Sequence, residues 1–128
     1  MIEIRGNYPR RLREQLRRSF TLFWCDASAC LNALRSAVEI VLDDKSIPPG
    51  KLHDRIKKFE ETEPETARRL MAVKWLGNEG SHADEPTQES TLEALDVLDY
   101  VLEDMYLRRR ARVDSIVERV NKDKGSGG

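Results

Sequence analysis

The feature that most constrains this chain is an apolar stripe through its last third. Leu92, Leu95, Leu98, Leu102, Met105 or Tyr106, Val113, Ile116 or Val117, and Val120 recur at steps of three and four, which is the period of an α-helix packed along one side. Read as a single helix from Thr87 to Asn121, with Ser90–Glu93 matching a capping box near its start, it would run roughly 50 Å at 1.5 Å per residue. No other segment is that long. The end of this helix must therefore overhang the fold, bend, or pack on another chain. Arg108, Arg109 and Arg110 interrupt the stripe where the overhang would begin.

The remaining segments are also helical by period. Leu12, Leu16, Phe20 and Phe23 line one side of a helix from Pro9, with Arg10, Arg11, Arg13, Arg17 and Arg18 on the opposite arc. Ala27 to Leu42 carries Leu31, Leu34, Val38 and Val41 or Leu42, with Asp26 or Ser28 as its cap. The stretch 43–50, ending Pro-Pro-Gly, breaks the helix. A short helix from Leu52 to Glu61 and another from Pro64 to Leu76 follow, the latter ended by Gly77 and Gly80. The expected fold is all-α, an antiparallel helical bundle of four to five helices with a long C-terminal helix. Its expected divisions are an N-terminal arm (1–8), the bundle (9–107), an extension of the last helix (108–121) and a flexible tail (122–128).

Charge decides which partners are open. Lys plus Arg is 22 and Asp plus Glu is 23, a net charge of −1, which excludes a globally basic nucleic-acid binder. The balance is a cancellation of blocks. Residues 1–24 hold six Arg against two Glu, residues 108–124 hold seven cations against three acids, and Asp84 to Asp104 holds eight acids and no Lys or Arg. Arg10, Arg13 and Arg17 on the first helix and Arg108, Arg109 and Arg110 on the last are therefore candidates for contact with phosphates or an acidic protein surface. A solvated outer face is the plainer reading of the same residues. Opposite-sign faces on one small bundle also suit self-assembly.

Cys25 and Cys30, five positions apart, do not suit a disulfide, and two distant histidines make no zinc pattern. No metal and no cofactor is expected. No apolar run reaches the ~18 residues of a membrane span and no charged-then-apolar leader is present, so no membrane partner and a cytoplasmic location are expected. Phe20, Phe23, Trp24 and Trp75 read as core or dimer seam.

The string Lys74 to His82 (KWLGNEGSH) is the most specific local signal. Were the helix to run on, Lys74, Asn78 and His82 would align at intervals of four on one face. Histidine can move a proton near pH 7. On the residues alone two readings stand: a site with His82, Asn78 and Lys74 as its chemistry, or a loop in which Asn78 satisfies backbone groups and His82 is an anchor. Arg35 and Glu39, one turn apart beside the core stripe, read as a structural polar pair bracing the bundle, or as a pair orienting His82 or Lys74.

Trp75 to His82 (WLGNEGSH) resembles the "R-x-x-G-N-x-x-A-H" signature of a bacterial domain-of-unknown-function family grouped with the HEPN superfamily, which occurs alone and fused to restriction-endonuclease parts. Asn32 to Glu39 resembles that family's "lRxxlE" helix and Leu52 to Ile56 its "LxxRI" helix. The three cover residues 8–107 in order. The resemblance implies an antiparallel, often dimeric bundle in a bacterial defence or toxin-type system, acting by dimerisation and by binding a protein partner or RNA. It also implies an alternative, a metal-independent ribonuclease with His82 as acid or base at a dimer cleft. In many HEPN members that site is an Arg and a His four to six residues apart: His82 matches the His and Asn78 the polar residue that commonly follows the Arg, while Gly77 stands just before Asn78 where the Arg would be and Lys74 is the nearest upstream cation. Lysine can neutralise a phosphate but lacks the bidentate fork of arginine.

Overall fold

The computed structural model describes residues 4–6, 8–79 and 88–127, with the side chains of 77–79, 126 and 127 outside the description. Among the described residues there are five helices and no strand: α1 (Arg10–Phe23), α2 (Ala27–Asp44), α3 (Leu52–Glu60), α4 (Pro64–Glu79) and α5 (Gln88–Gly127). The architecture is an all-α bundle with a long C-terminal helix.

Each helix buries the stripe its sequence spells out. Leu12, Leu16 and Phe23 of α1 enter the core, with Phe20 packed at its edge. In α2 both Val41 and Leu42 are buried, together with Leu31, Leu34 and Val38. Asp26 caps α2, its carboxylate accepting the Ala29 amide at 3.1 Å. Consecutive helices run antiparallel. Gln15 of α1 reaches the Ala33 carbonyl at 3.2 Å and Arg11 reaches Asp43 at 3.7 Å. Arg69 of α4 lies over the Tyr100 ring at 4.9 Å and meets Asp104 at 3.7 Å. Cys25 sits exposed in the α1–α2 turn, whereas Cys30 is fully buried and its thiol pKa is raised to about 11 by desolvation. In the native chain we therefore expect an aromatic disulfide reagent to modify Cys25 within seconds and Cys30 only at the rate of unfolding. Two equally fast thiols would contradict this packing.

The N-terminal arm is docked: Tyr8 is buried, its ring 5.3 Å from that of Tyr106, and Ile4 packs on the core. Two helices differ from the sequence expectation. Helix α4 runs past Gly77 to Glu79, since one glycine costs only about 1 kcal/mol in a helix already propagating. Helix α5 likewise continues through the expected tail to Gly127, roughly 60 Å in all. The last buried residue of α5 is Tyr106. Beyond it α5 passes through a neck against Pro9, Asp44 and Lys45 and then projects from the bundle.

The loop after α2 is held by a residue the apolar pattern conceals. Ser46 adopts a left-handed φ of 61° and lets the Ile47 amide reach back to the Leu42 carbonyl at 3.0 Å. Arg55 of α3, only 6% exposed, closes this loop. Its guanidinium donates to Asp43 Oδ1 at 2.7 Å and to the carbonyls of Ile47 at 2.9 Å and Pro48 at 3.0 Å.

Candidate functional site

The candidate residues fall into two groups at different levels of the bundle. The first lies toward the end of α4. Because α4 continues to Glu79, Lys74 and Asn78 share one helical face. The side chain of Asn78 and the whole of His82 lie outside the described residues. Lys74 is only 6% exposed. Its ammonium sits 3.6 Å from the centroid of the Trp75 ring, and the edge of that ring meets His53 of α3 at a centroid distance of 6.1 Å. Burial, and secondarily the charge of Arg35 on α2, lower the pKa of Lys74.

Arg35 does not brace Glu39. The Glu39 side chain is exposed, and among the described residues neither forms an ion pair. The Nε of Arg35 is instead enclosed with no hydrogen-bond partner. Helix α2 packs on α4, and Arg35 lies partly inside that packing while Glu39, one turn on, stays in water. Two cations thus lie within electrostatic reach of one another on packed helices. A cation–π contact contributes about 2 kcal/mol when desolvated, less than the several kcal/mol per ion that burial costs. Such an arrangement can hold an anion.

The second group surrounds the neck where α5 leaves the bundle. Asp43 and Asp44, at the end of α2, gather four partners. Asp43 meets Arg11 and Arg55. Asp44 accepts the Tyr106 hydroxyl at 3.0 Å and lies 3.7 Å from Arg109. Burial, then the Asp44 charge, push the Tyr106 hydroxyl far above the usual phenol range. Lys45, Glu63, Thr66, Arg108, Arg109 and Arg112 line a cleft of about 340 Å³ on one side of the neck. Pro9, Arg109, Arg110 and Val113 line a smaller one of about 280 Å³ on the other.

The structure thus brings the start of α1 against Arg109 and Arg110. The two arginine series then diverge. Arg10 pairs with Glu14 at 3.1 Å, Arg13 is half-buried one turn on, and Arg17 is exposed further along α1. Arg108 and Arg110 pair with Asp104 and Asp114 on their own helix. These arginines are partly neutralised already, and they form no continuous phosphate track.

Beyond the neck, Val113, Ile116, Val117 and Val120 are each 45–50% exposed on one side of α5. They are flanked by Arg110, Arg112, Arg119, Lys122 and Lys124. The first half of the same helix is the opposite. Glu89, Glu93, Asp96 and Glu103 are exposed around Leu92 and Tyr100, which are 42% and 58% exposed. A groove of about 450 Å³ runs there, lined by Tyr100, Glu103, Asp104, Leu107 and Arg108. Sequence reasoning missed Arg55 as a hub. The available signal was a charge at the third position after Leu52, on the stripe that also holds Ile56 and Phe59.

Among the described residues no group of His, Cys, Asp and Glu is placed to hold a metal ion, and no helix is long and apolar enough to cross a membrane. The chain matches the family described as Domain of unknown function (DUF4145) over residues 17–124. That covers most of its length, and the chain belongs to this family. The match includes the projecting part of α5 through Lys124, so the extension is part of the domain. No curated protein and no solved structure matches the chain.

Proposed function

We propose that this DUF4145 chain is a HEPN-like helical assembly module of a bacterial defence or toxin-type system, working as a homodimer built on α5. The HEPN-like placement and the defence setting rest on the resemblance of Trp75–His82, Asn32–Glu39 and Leu52–Ile56. The dimer rests on one observation: α5 is a single helix whose projecting half is apolar and basic and whose bundle half is apolar and acidic.

Charge selects the arrangement. Pairing two extensions directly would set Arg112 and Arg119 against like charges, which opposes association. An antiparallel pair of whole α5 helices, wound at 3.5 residues per turn and centred between Tyr106 and Leu107, avoids this. It places Glu103 opposite Arg110 of the second copy and Glu89 opposite Lys124, with Glu93 one position from facing Arg119. Tyr100 then covers Val113, and Leu92 lies beside Val120. The two-fold axis repeats every contact, as an isologous interface requires. The larger neck cleft, with Lys45 and Arg112, stays outside this contact and remains open to a protein partner or RNA.

Sedimentation equilibrium tests the proposal. The native chain is expected at twice its 14.8 kDa. Val117→Asp, which sets a carboxylate near Asp96 of the second copy, is expected to give the single-chain mass with unchanged helical circular dichroism. A native chain that stays at one mass at every concentration, or a variant that keeps the doubled mass, contradicts it.

A further inference from the structure

The pair formed by Arg35 and Lys74 has no use in α5 pairing. Lys74 is 94% buried by its 6% exposure, and the Nε of Arg35 is sealed from water without a hydrogen-bond partner. Among the described residues neither has an ion pair, and Lys74 meets the face of Trp75 besides the charge of Arg35. Buried cations are almost always paired or coordinated. Here two sit on the packed helices α2 and α4 within electrostatic reach and repel one another, which lowers the Lys74 pKa further after burial has done so. An arrangement that weakens the free protein persists where it is completed by a ligand. Arg35 is only half-buried, so its terminal nitrogens give that ligand a way in. Trp75, 53% exposed beside the ammonium, and the His53 ring at its edge extend the place outward.

We propose that Arg35 and Lys74 form a binding site for a phosphate group, the guanidinium and the ammonium each donating to its oxygens. A tetrahedral oxyanion accepts from a fork and a point charge at once. It also removes the repulsion between the two cations. Free phosphate and the phosphate of a nucleotide share this chemistry. Trp75 favours the second, because a base can stack on its exposed face.

The test is thermal melting of the full chain in inorganic phosphate, against sodium chloride at matched ionic strength. Phosphate at ten times its Kd is expected to raise the native midpoint by roughly 4–6 °C. Lys74→Met is expected to melt at or above the native midpoint in chloride and to lose the phosphate shift. Arg35→Met, on the other helix, is expected to lose the shift as well, and serves if the first variant folds poorly. Arg112→Gln, in the neck cleft, is expected to keep it. A native chain with no phosphate shift, or a shift that survives both Lys74→Met and Arg35→Met but falls with Arg112→Gln, overturns the assignment. Tighter binding of a nucleoside monophosphate than of phosphate, lost with Trp75→Ala, identifies a nucleotide as the source. Equal affinity identifies free phosphate.

Discussion

Arg55→Met is expected to lower the unfolding free energy by about 3 kcal/mol, a large share of the 5–15 kcal/mol typical of a domain. The cost does not lie mainly in the ion pair. The Asp43 side chain is 44% exposed, so water and Arg11 take up much of what Arg55 gives it. It lies in the carbonyls of Ile47 and Pro48, which Arg55 satisfies at 2.9 and 3.0 Å. Methionine fills the volume and leaves both part-buried acceptors and the α2–α3 loop unheld, where a fully buried unpaired group would cost about 1–3 kcal/mol. Arg55→Lys keeps the charge without the fork and is expected to recover less than half of the loss. Urea unfolding followed by circular dichroism measures both. A Met variant within 0.5 kcal/mol of native would show that the loop is held by its prolines and Ser46 alone.

The loop matters because Asp43 and Asp44 end the helix on which the neck is built. Asp43 ties α1 to α3 through Arg11 and Arg55. Asp44 ties α2 to α5 through Tyr106 and Arg109. Two adjacent carboxylates thus tie four helices together beside the neck. Loosening Arg55 is expected to loosen the assembly as well as the fold.

Most of the fold was legible because it follows from spacing. Leu12, Leu16, Leu31, Leu34, Leu95 and Leu98 are buried, and their intervals of three and four require that in any helical reading. The overhang of α5 was legible for the same reason, since Val113 to Val120 continue a stripe that the short helices cannot cover. The stop signals misled. Gly77 punctuates a sequence strongly, but a helix already propagating carries a glycine at modest cost. Tyr8 gave no periodic signal, because its burial depends on where Tyr106 happens to arrive.

The candidate site was legible only in part. Lys74 was named for its spacing to Asn78 and His82, and its burial beside Arg35 could not be read from that spacing. The i,i+4 distance of Arg35 and Glu39 suggested a pair. What decides their fate is which of the two α2 turns toward α4, and that is a property of packing between segments far apart in sequence. Arg108, Arg109 and Arg110 were legible as a basic break in the stripe. Their partners Asp44 and Asp104 were not.

The second large effect concerns the register of α5. In an antiparallel pair centred between Tyr106 and Leu107, the two copies of residue 107 lie beside the two-fold axis, about 1.5 Å apart along the helix, while residue 113 faces residue 100 and residue 117 faces residue 96. A cysteine at 107 is therefore within disulfide reach of its own symmetry mate, and cysteines at 113 or 117 lie tens of ångströms from theirs at 1.5 Å of helix per residue. In a parallel pair all three positions would meet their mates. In a pairing of extensions alone, only 117 would. The most direct measurement is thus mild oxidation of Leu107→Cys, Val113→Cys and Val117→Cys, each in a Cys25→Ser background that leaves the buried Cys30 in place, read on a non-reducing gel. Covalent dimer from Leu107→Cys, with little from the other two, is the predicted result. Dimer from Val117→Cys alone, from all three equally, or from none would contradict the antiparallel assembly of α5.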